Sequence, residues 1–303
     1  MIDALAREGY HSAEDVAAIA QTDLRATRVI LEALSAENIV DRSALEGSAT
    51  FRLTELGRSH LVDSGPDFER AGLLHLANRV HGWSNLVDVV KTGQPAKRDE
   101  GRRDVRNFVS AMGERNPEIV DEIVESCLAY AGRIQTMIDI GGAVGHMARR
   151  FSHCGVRATL MDLERVIPIA RDFLGPDEAD IALVGGDFTM DLPAGPFDLA
   201  YFGNVFHIYG PDTCRKLAGD AGTILTPEGT IAIQDLVWGR SARAPMFAVN
   251  MLQATTDGGV WTEAQYREWL GEAGFMDVQV VDLETAATQL ILGRKGSHGA
   301  ISS

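Results

Sequence analysis

The chain has 303 residues, of which 45% are hydrophobic and 23% are charged, and its formal net charge at pH 7 is −15. This composition predicts a globular protein long enough for two domains, and the negative charge argues against nucleic acid as a partner, since a polyanion would be repelled. Three cysteines without paired spacing argue against a disulfide framework or a zinc site, and without a targeting signal or a long apolar run we expect a cytoplasmic protein with no metal and no membrane span.

Short helices followed by a small hairpin are predicted for residues 1–62. Ser12 and Asp23 each stand where an N-cap is expected, just before an apolar helical pattern. Residues 51–54 have the alternation of a strand that returns from a wing, and the next helix follows them directly. This order of elements predicts a winged helix. Its second long helix is predicted to have an apolar face made of Val29, Ile30, Leu31 and Leu34.

Winged helices commonly bind DNA, so a transcriptional regulator is one interpretation of this region. Arg25 and Arg28 lie on the helix that would enter the major groove. Glu32 and Glu37 accompany them, however, and the domain carries no stripe of basic residues. We therefore expect no nucleic-acid partner.

A helical, amphipathic stretch is predicted from residue 68 to residue 130, with breaks at residues 93–95 and 116–117. Within it, Phe108 and Met112 stand four residues apart, so they share one helix face. An aromatic ring and a flexible thioether suit an apolar planar ligand, but such a pair is equally typical of plain helix packing. The residues alone leave both interpretations open.

Strands and helices alternate from residue 135 onward, which predicts a parallel sheet with its ligand at the carboxyl ends of the strands. The last two strands are separated only by a short turn near residues 284–285, so we expect a terminal hairpin with one antiparallel strand. The predicted strands span residues 135–140, 158–162, 180–184, 197–202, 229–235, 276–282 and 288–293.

The first of these strands closes on Asp139 and runs into glycines, in the spacing Asp-x-Gly-Gly-x-x-Gly that ends at Gly145. Glycines at a strand-to-helix turn let backbone N–H groups and the helix N-terminus approach a ligand closely. The spacing differs from the Gly-x-Gly-x-x-Gly of dinucleotide sites and lacks the Gly-Lys-Ser/Thr of a phosphate-binding loop. The spacing therefore argues against hydride transfer and phosphoryl transfer. Two interpretations stay open: a turn that binds a nucleotide, and a turn that binds no ligand.

Two further carboxylates follow the next strands. Asp162 ends the second strand, where an acid reaches the two hydroxyls of a ribose, although it could instead cap the helix that follows. Asp187 comes after the third strand in Gly-Gly-Asp-Phe, so that Phe188 stands beside it. An adenine needs this combination, an acceptor for its amino group and an apolar face for its ring.

These motifs, followed by residues 204–207 and 225–230, resemble in order those of S-adenosylmethionine-dependent O-methyltransferases that act on small, often aromatic molecules. The resemblance covers nearly the whole chain. It implies an α/β fold: an N-terminal, mainly helical winged-helix dimerisation domain, then a Rossmann-like seven-stranded methyltransferase domain with a C-terminal antiparallel hairpin. We assign residues 1–105 to the first domain with its helical connector, 106–295 to the catalytic domain and 296–303 to a disordered tail. The protein would bind S-adenosyl-L-methionine and form a homodimer through its N-terminal domain.

The same resemblance implies which residues hold the ligands. His207 matches the family's catalytic base, which would take the proton of the attacking hydroxyl, and Asp235 matches an acid that could fix the tautomer of that base. The implied cofactor-binding residues are Asp139, Gly141, Gly142, Gly145, Asp162, Leu163, Asp187, Phe188 and Asn204. The implied substrate-binding residues, in a largely apolar pocket suited to a flat aromatic or polycyclic natural product, are Phe108, Met112, Phe206, Met246 and Asn250.

The chain departs from the family pattern in the glycine loop and around the histidine. Ala143 and Val144 stand where the family usually has Gly and Thr, Ile208 replaces the acid that commonly follows the histidine, and residues 258–262 contain no second acid. Three alternatives follow: an acceptor that is already acidic, a carbon or nitrogen acceptor, or an enzyme that binds S-adenosylmethionine without transferring its methyl group, such as a hydroxylase, decarboxylase or pericyclase. A regulatory protein with an inactive enzyme domain is a further class, against which the intact carboxylates of the cofactor motifs argue.

Overall fold

The computed structural model describes residues 1–45, 48–62, 64–65, 70–95, 109, 117–178 and 180–296. The chain divides into two compact units, unit 1 with Met1–Leu74 and unit 2 with His75–Ser303. The domain boundary predicted between residues 105 and 106 falls outside the described residues and stays a prediction, as does the disordered tail.

Unit 1 has the element order of a winged helix. Its helices are α1 (Ile2–Leu5), α2 (Ala13–Ala20), α3 (Leu24–Ala36) and α4 (Glu55–Leu61), and its strands are β1 (His11–Ser12), β2 (Val40–Leu45) and β3 (Ser48–Leu53). The strands form an antiparallel sheet in the order β1-β3-β2. The predicted wing is therefore the hairpin of β2 and β3.

Polar side chains start the two main helices of unit 1, as the sequence predicts. The Ser12 hydroxyl accepts the N–H of Asp15, and the Asp15 carboxylate accepts the N–H of Ser12 in return, which is a capping box. Asp23 accepts the N–H of Ala26 at 2.9 Å and caps α3. These helices and the small sheet enclose a core that includes Leu5, Val16, Leu31, Phe51 and Leu53.

The predicted apolar face of α3 is only partly buried. Thr27, Leu31 and Leu34 follow the i, i+4, i+7 spacing of one helix stripe and turn toward the core. Val29 and Ile30 lie off this stripe, and their exposed fractions are 59% and 44%. The prediction that all four apolar residues share one packed face is therefore corrected.

Unit 2 is an α/β structure with one seven-stranded sheet and a separate two-stranded parallel sheet. The helices are α5 (Arg70–Ser84), which begins within unit 1, α6 (Leu86–Thr92), α7 (Pro117–Ala131), α8 (His146–His153), α9 (Ile167–Leu174), α10 (Pro211–Ile224), α11 (Ala244–Ala254) and α12 (Glu263–Glu272). The strands are β4 (Thr136–Ile140), β5 (Arg157–Asp162), β6 (Ala182–Gly185), β7 (Phe197–Gly203), β8 (Leu225–Asp235), β9 (Val237–Trp238), β10 (Trp261–Thr262), β11 (Phe275–Asp282) and β12 (Gln289–Lys295).

The seven main strands have the order β11-β12-β8-β7-β4-β5-β6. Strands β4 to β8 pair in parallel, whereas β12 runs antiparallel to both β8 and β11. The predicted parallel sheet and terminal hairpin are thus confirmed. Strand β8 begins at Leu225, earlier than predicted, because Leu225 already pairs with Phe197 ahead of a register shift.

Apolar side chains cover both faces of the sheet. Met137 and Leu199 belong to one core cluster, and the residues next to them in the strands, Ile138 and Ala200, belong to the other, as the period of two in a strand requires. With both faces packed, the carboxyl ends of the strands are the place where polar groups gather. No helix in the described part of the chain has both the length and the apolar character needed to cross a bilayer.

Candidate active site

Four parallel strands end side by side at one edge of the sheet, in the order β8, β7, β4 and β5. Their last residues and the segments that follow them carry Asp235, residues 204–207, the glycine loop of residues 141–145, and Asp162. The carboxyl ends of neighbouring parallel strands lie together. The fold therefore brings the predicted catalytic pair and the predicted cofactor loop to the same edge.

The glycine loop turns tightly after β4. Gly141 has a φ of 73°, a value that favours glycine, and it donates its N–H to the carbonyl of Met161 at 2.8 Å. At Gly142, a Cβ would lie 2.7 Å from the Asp139 carboxylate. The loop is thus tied to β5 by its backbone and has no room for a side chain at its second glycine.

Ala143 keeps the loop conformation although the family usually has a glycine at this position. Its φ is 52°, a region that costs a residue with a Cβ roughly 1–2 kcal/mol. Its N–H donates to Oδ2 of Asp162 at 2.9 Å, and this bond helps to hold the backbone there. Ala143 thus lies in the left-handed region and is tied to Asp162 by its backbone.

Asp139 is buried behind the glycine loop. Its Oδ2 accepts the N–H of Ala148 at 3.3 Å in the first turn of α8, where backbone donors otherwise lack a partner. A cavity of about 20 Å³ lies beside Asp139, Tyr201 and the loop, enough for one water molecule or a small polar group. Asp139 thus supports the loop from behind.

Asp162 is buried at the end of β5 and accepts two backbone hydrogen bonds. Oδ2 accepts the N–H of Ala143, and Oδ1 accepts the N–H of Leu163 at 2.7 Å. Burial raises the pKa of this carboxyl above its ordinary value, against the effect of those two bonds. The alternative of a helix cap is wrong, because α9 begins at Ile167 and its N-cap, Val166, has no side-chain cap. Each carboxylate oxygen keeps a lone pair for a further donor.

Asp187 and Phe188 follow β6 and differ in exposure. The exposed Asp187 accepts the hydroxyl and the N–H of Thr189 at 2.7 and 2.9 Å, and these bonds hold the pKa of its carboxyl below the usual range. Phe188 is buried and stands edge-on to Tyr209, with ring centroids 6.1 Å apart. A Cβ on Gly141 would lie 3.5 Å from the Phe188 ring, so the ring reaches the glycine loop.

His207 lies in a short 3-10 turn, Phe206–Ile208, just after β7. Its Nδ1 is 2.7 Å from Oδ1 of Asp235, and its backbone N–H donates to Oδ2 of the same carboxylate at 3.0 Å. The Leu236 N–H also donates to Asp235, which is fully buried. Since a carboxylate only accepts, Nδ1 carries the proton in this contact, and in the neutral imidazole Nε2 then keeps its lone pair. Just before the turn, Asn204 has a φ of 59° and donates its N–H to the Gln234 carbonyl.

Residues 258–261, which lead into β10, support the histidine turn. This support was not predicted from the sequence. Gly259 donates its N–H to the His207 carbonyl at 3.0 Å, and Trp261 donates its Nε1–H to the Phe206 carbonyl at 3.1 Å. A Cβ on Gly258 would collide with the His207 carbonyl. The adjacent glycines were the available signal for this close approach.

The predicted substrate residues are not all brought together. Phe108 and Met112 lie outside the described residues. Phe206 is wholly buried, with its ring 5.3 Å from that of Phe202 in the core. Met246 has an exposed fraction of 60%. The expectation that Phe206 lines a pocket is therefore corrected, because its ring fills the core beneath the histidine turn.

Helix α11 contacts His207 through Phe247. The Phe247 ring stands edge-on to the His207 imidazole, with centroids 4.8 Å apart. Asn250, one turn further along the helix, is buried and accepts the Nε1–H of Trp83 at 2.8 Å. Of the predicted substrate residues, Asn250 is the one on the helix face that carries Phe247.

In the part of the chain that the structure describes, Asp235 is the one acid bonded to the His207 imidazole. Ile208 is exposed, and the Asp257 carboxylate lies against Gly210, where a Cβ would be 2.5 Å from Asp257 Oδ2. Asp257 therefore stands at the start of α10. Among the described residues, no group of three or more His, Cys, Asp or Glu side chains is placed to hold a metal ion.

The chain is similar to known O-methyltransferases over most of its length. It is 27% identical to the tetracenomycin polyketide synthesis 8-O-methyl transferase TcmO of Streptomyces glaucescens, over 89% of this chain and 83% of that protein. It is 25% identical to acetylserotonin O-methyltransferase of Gallus gallus, over 92% and 86% of the two chains. The crystal structure of human N-acetylserotonin methyltransferase with S-adenosylmethionine superposes with a TM-score of 0.78 at 23% identity, covering 97% of this chain and 90% of that one.

A family model settles the classification. The model described as the O-methyltransferase domain matches residues 76–276, more than half of the chain. The similarity to the human enzyme supports the same fold, with the parallel sheet and the terminal hairpin in place. These comparisons confirm the family, the fold and the S-adenosylmethionine cofactor that the motifs predict. The chain therefore belongs to the O-methyltransferase family.

Proposed function

We propose that the protein transfers the methyl group of S-adenosylmethionine to a hydroxyl of a small aromatic or polycyclic molecule. The relatives support this, since the names of several describe O-methylation of aromatic compounds, among them a naphthoate and a hydroxybenzoate. The observation that carries the proposal is the His207–Asp235 contact of 2.7 Å at the strand edge that also bears the glycine loop.

The residues at this edge suit S-adenosylmethionine. The buried Asp162 has a free lone pair on each oxygen for the two ribose hydroxyls, with Leu163 beside it. The exposed Asp187 has an oxygen for the adenine amino group, and Phe188 offers an apolar ring. The small cavity beside Asp139 can take a polar group of the methionine end. We assign Gly141, Gly142, Gly145 and Asn204 to the backbone frame around the cofactor.

The proposed mechanism is an in-line displacement with a general base. When bound, S-adenosylmethionine supplies a methyl group on a positively charged sulfur that leaves as a neutral thioether. The substrate hydroxyl oxygen forms the new bond to the methyl carbon while Nε2 of His207 accepts the hydroxyl proton. Asp235 keeps the other ring nitrogen protonated, so Nε2 stays available, and it stabilises the imidazolium that forms.

The absence of further acids around His207 in the described part of the chain favours some methyl acceptors over others. Among the residues that the structure describes, His207 has one carboxylate partner, Asp235, and the exposed Ile208 adds none. A phenol that is already acidic needs less help from the base than an aliphatic alcohol. We therefore place acidic aromatic hydroxyls ahead of alcohols. Carbon or nitrogen acceptors, and reactions without methyl transfer, remain as outcomes of the test.

The test compares wild type with His207→Ala on a panel of hydroxyaromatic compounds. We expect a product heavier by one methylene group, a turnover that falls roughly 10²–10⁴-fold in His207→Ala, and unchanged calorimetric binding of S-adenosylhomocysteine. His153→Ala is the matched control, since His153 is an exposed histidine bonded to Glu178. Cofactor binding without methylated product would contradict methyl transfer and point to a non-methylating enzyme, and product at nearly the wild-type rate in His207→Ala would remove the histidine from the mechanism.

We further propose that the protein is a cytoplasmic homodimer assembled through unit 1. The exposed Val29 and Ile30 of α3, with Ile19 of α2, support this, because apolar side chains gain by burial against a second copy. The three free cysteines fit a reducing compartment. The Val29→Lys, Ile30→Lys double variant should shift the protein to monomer in analytical ultracentrifugation, whereas Met276→Lys, at an exposed site in unit 2, should not. A wild-type protein that sediments as a monomer would contradict the proposal.

A further inference from the structure

Helices α5 and α11 of unit 2 meet through a buried polar contact. The Trp83 indole Nε1–H donates to Oδ1 of Asn250 at 2.8 Å, and Asn250 is only 5% exposed. One residue before Trp83, a Cβ on Gly82 would collide with the side chain of Gln253. The two helices are therefore in close contact, and Asn250 is held from the α5 side.

This contact fixes which end of the Asn250 amide faces the tryptophan. An indole nitrogen can only donate, so it must meet the amide oxygen. The amide nitrogen, Nδ2, then points away from Trp83 with two N–H groups. Among the described residues, Nδ2 makes no hydrogen bond, and it is absent from the fully buried atoms that lack a partner. The Nδ2 group of Asn250 is thus a donor with a fixed orientation that is not fully buried and has no hydrogen-bond partner among the described residues.

The helix places this donor near the predicted base. Phe247 stands edge-on to His207 with ring centroids 4.8 Å apart, and Asn250 is three residues further along α11. Residues at this spacing share a helix face, with Cβ atoms about 5–6 Å apart. The neighbouring Met251 is also buried. Phe247 and one oriented donor therefore share the face of α11 that meets the predicted base.

We propose that Trp83 locks Asn250 so that its amide N–H, and not its oxygen, faces the methyl acceptor, and that the enzyme thereby selects hydroxyaromatic substrates that carry a carbonyl oxygen. This inference rests on the proposed function, because it takes the space beside His207 as the acceptor site. Asn250 contacts the substrate, and Trp83 is a positioning residue that acts through it. A substrate with only a hydrocarbon substituent at this point leaves the donor without a partner, which disfavours its binding.

The test uses naphthols that carry an acetyl group, each paired with the naphthol that carries an ethyl group at the same position. The two differ in the carbonyl oxygen, which the ethyl group lacks. Calorimetric titration into protein saturated with S-adenosylhomocysteine should show at least one acetyl compound binding about tenfold more tightly than its ethyl partner. Equal affinities across all pairs would overturn the inference.

Variants separate positioning from plain packing. Asn250→Ala should reduce the acetyl-to-ethyl ratio of affinities to near one. Trp83→Phe keeps an aromatic ring but loses the N–H, so the amide can turn over and the ratio should fall about threefold or more. In the Asn250→Ala background, Trp83→Phe should not change the ratio further. A ratio that Trp83→Phe leaves intact, or lowers equally without Asn250, would contradict the positioning role.

Two readouts keep this inference distinct from the proposed function. If wild type binds S-adenosylhomocysteine and methylates acetyl and ethyl naphthols alike, the function stands and the carbonyl selection fails. If it binds the cofactor product but methylates none of the naphthols or other hydroxyaromatics, the proposed function fails and the inference fails with it. Thermal unfolding of each variant identifies a loss of folding, in which case the wild-type affinity ratio alone decides.

Discussion

The site has two halves that are held in different ways. In the glycine-loop half, made of residues 139–145 and Asp162, backbone N–H groups bond to Met161 and to the Asp162 carboxylate. In the histidine half, made of residues 206–208, Asp235 and residues 257–261, a buried side-chain carboxylate and a distant loop hold a short turn. The first half joins segments 19 positions apart, and the second half joins segments 28 to 55 positions apart.

Because they are held differently, the two halves of the site should be sensitive to different substitutions. The glycine-loop half depends on the absence of side chains and on one carboxylate that faces the predicted ribose. The histidine half depends on the tautomer of one imidazole and on the position of its backbone. Changes in the first half should therefore weaken cofactor binding, whereas changes in the second half should lower turnover with cofactor binding intact.

The largest effect is expected from Asp235→Asn. The asparagine can turn its amide N–H toward Nδ1 and so reverse the tautomer, which places the proton on Nε2, where the substrate proton must go. Turnover should fall roughly 10²–10⁴-fold, while calorimetric binding of S-adenosylhomocysteine changes little. A turnover within a few-fold of wild type would show that the histidine tautomer does not matter for the reaction.

Two matched glycine substitutions test the comparison directly. In Gly142→Ala the new Cβ would press on the Asp139 carboxylate, and in Gly258→Ala it would press on the His207 carbonyl. We expect each to lower the free energy of unfolding by about 1–3 kcal/mol, with weaker cofactor binding in the first and a lower kcat in the second. Gly219→Ala is the control, since its Cβ would meet open space. If both variants lose the same property, the division of the site into two halves fails.

Asp162→Ala tests the glycine-loop half alone. Loss of a charged acceptor for the predicted ribose hydroxyls should weaken cofactor binding by roughly 1–3 kcal/mol, measured by calorimetry. The variant also removes the partner of the Ala143 N–H, so its thermal unfolding is measured alongside. An unchanged affinity in a folded variant would place the ribose elsewhere.

The same carboxylate predicts a pH dependence of cofactor binding. Burial raises the pKa of Asp162, and the ionised form is the stronger acceptor because neither of its oxygens carries a proton. Affinity should therefore be fully present above this raised pKa and decline as the pH falls through it, beginning at a higher pH than an ordinary aspartate near 3.9 would give. The Asp162→Ala variant should lack this step. A wild-type affinity that shows no such decline would contradict the role of the carboxylate.

The smallest effect is expected from Trp261→Phe. The change removes one hydrogen bond to the Phe206 carbonyl, worth about 0.5–1.5 kcal/mol. The carbonyl keeps a weaker contact from the Cys214 thiol at 3.3 Å, so turnover should fall less than about tenfold. A loss of turnover as large as that expected for Asp235→Asn would contradict a role limited to supporting the turn.

Short-range patterns in the sequence predict the local features of this protein. The alternation of apolar residues in strands is a short-range property, and all seven strands of the main sheet lie where that pattern predicts. The glycine spacing after Asp139 predicts the turn, since φ above zero at Gly141 favours a residue without a Cβ. The N-caps Ser12 and Asp23 are fixed by the same short-range chemistry.

Contacts between distant side chains, in contrast, depend on the tertiary structure. Trp83 and Asn250 are 167 positions apart, and the turn at His207 rests on a loop about 50 positions later in the chain. The tertiary structure also decided that Phe206 fills the core while Val29 and Ile30 stay exposed. Apolarity in a sequence states that a side chain gains by burial, but which surface covers it depends on how whole elements pack, and no local pattern contains that information.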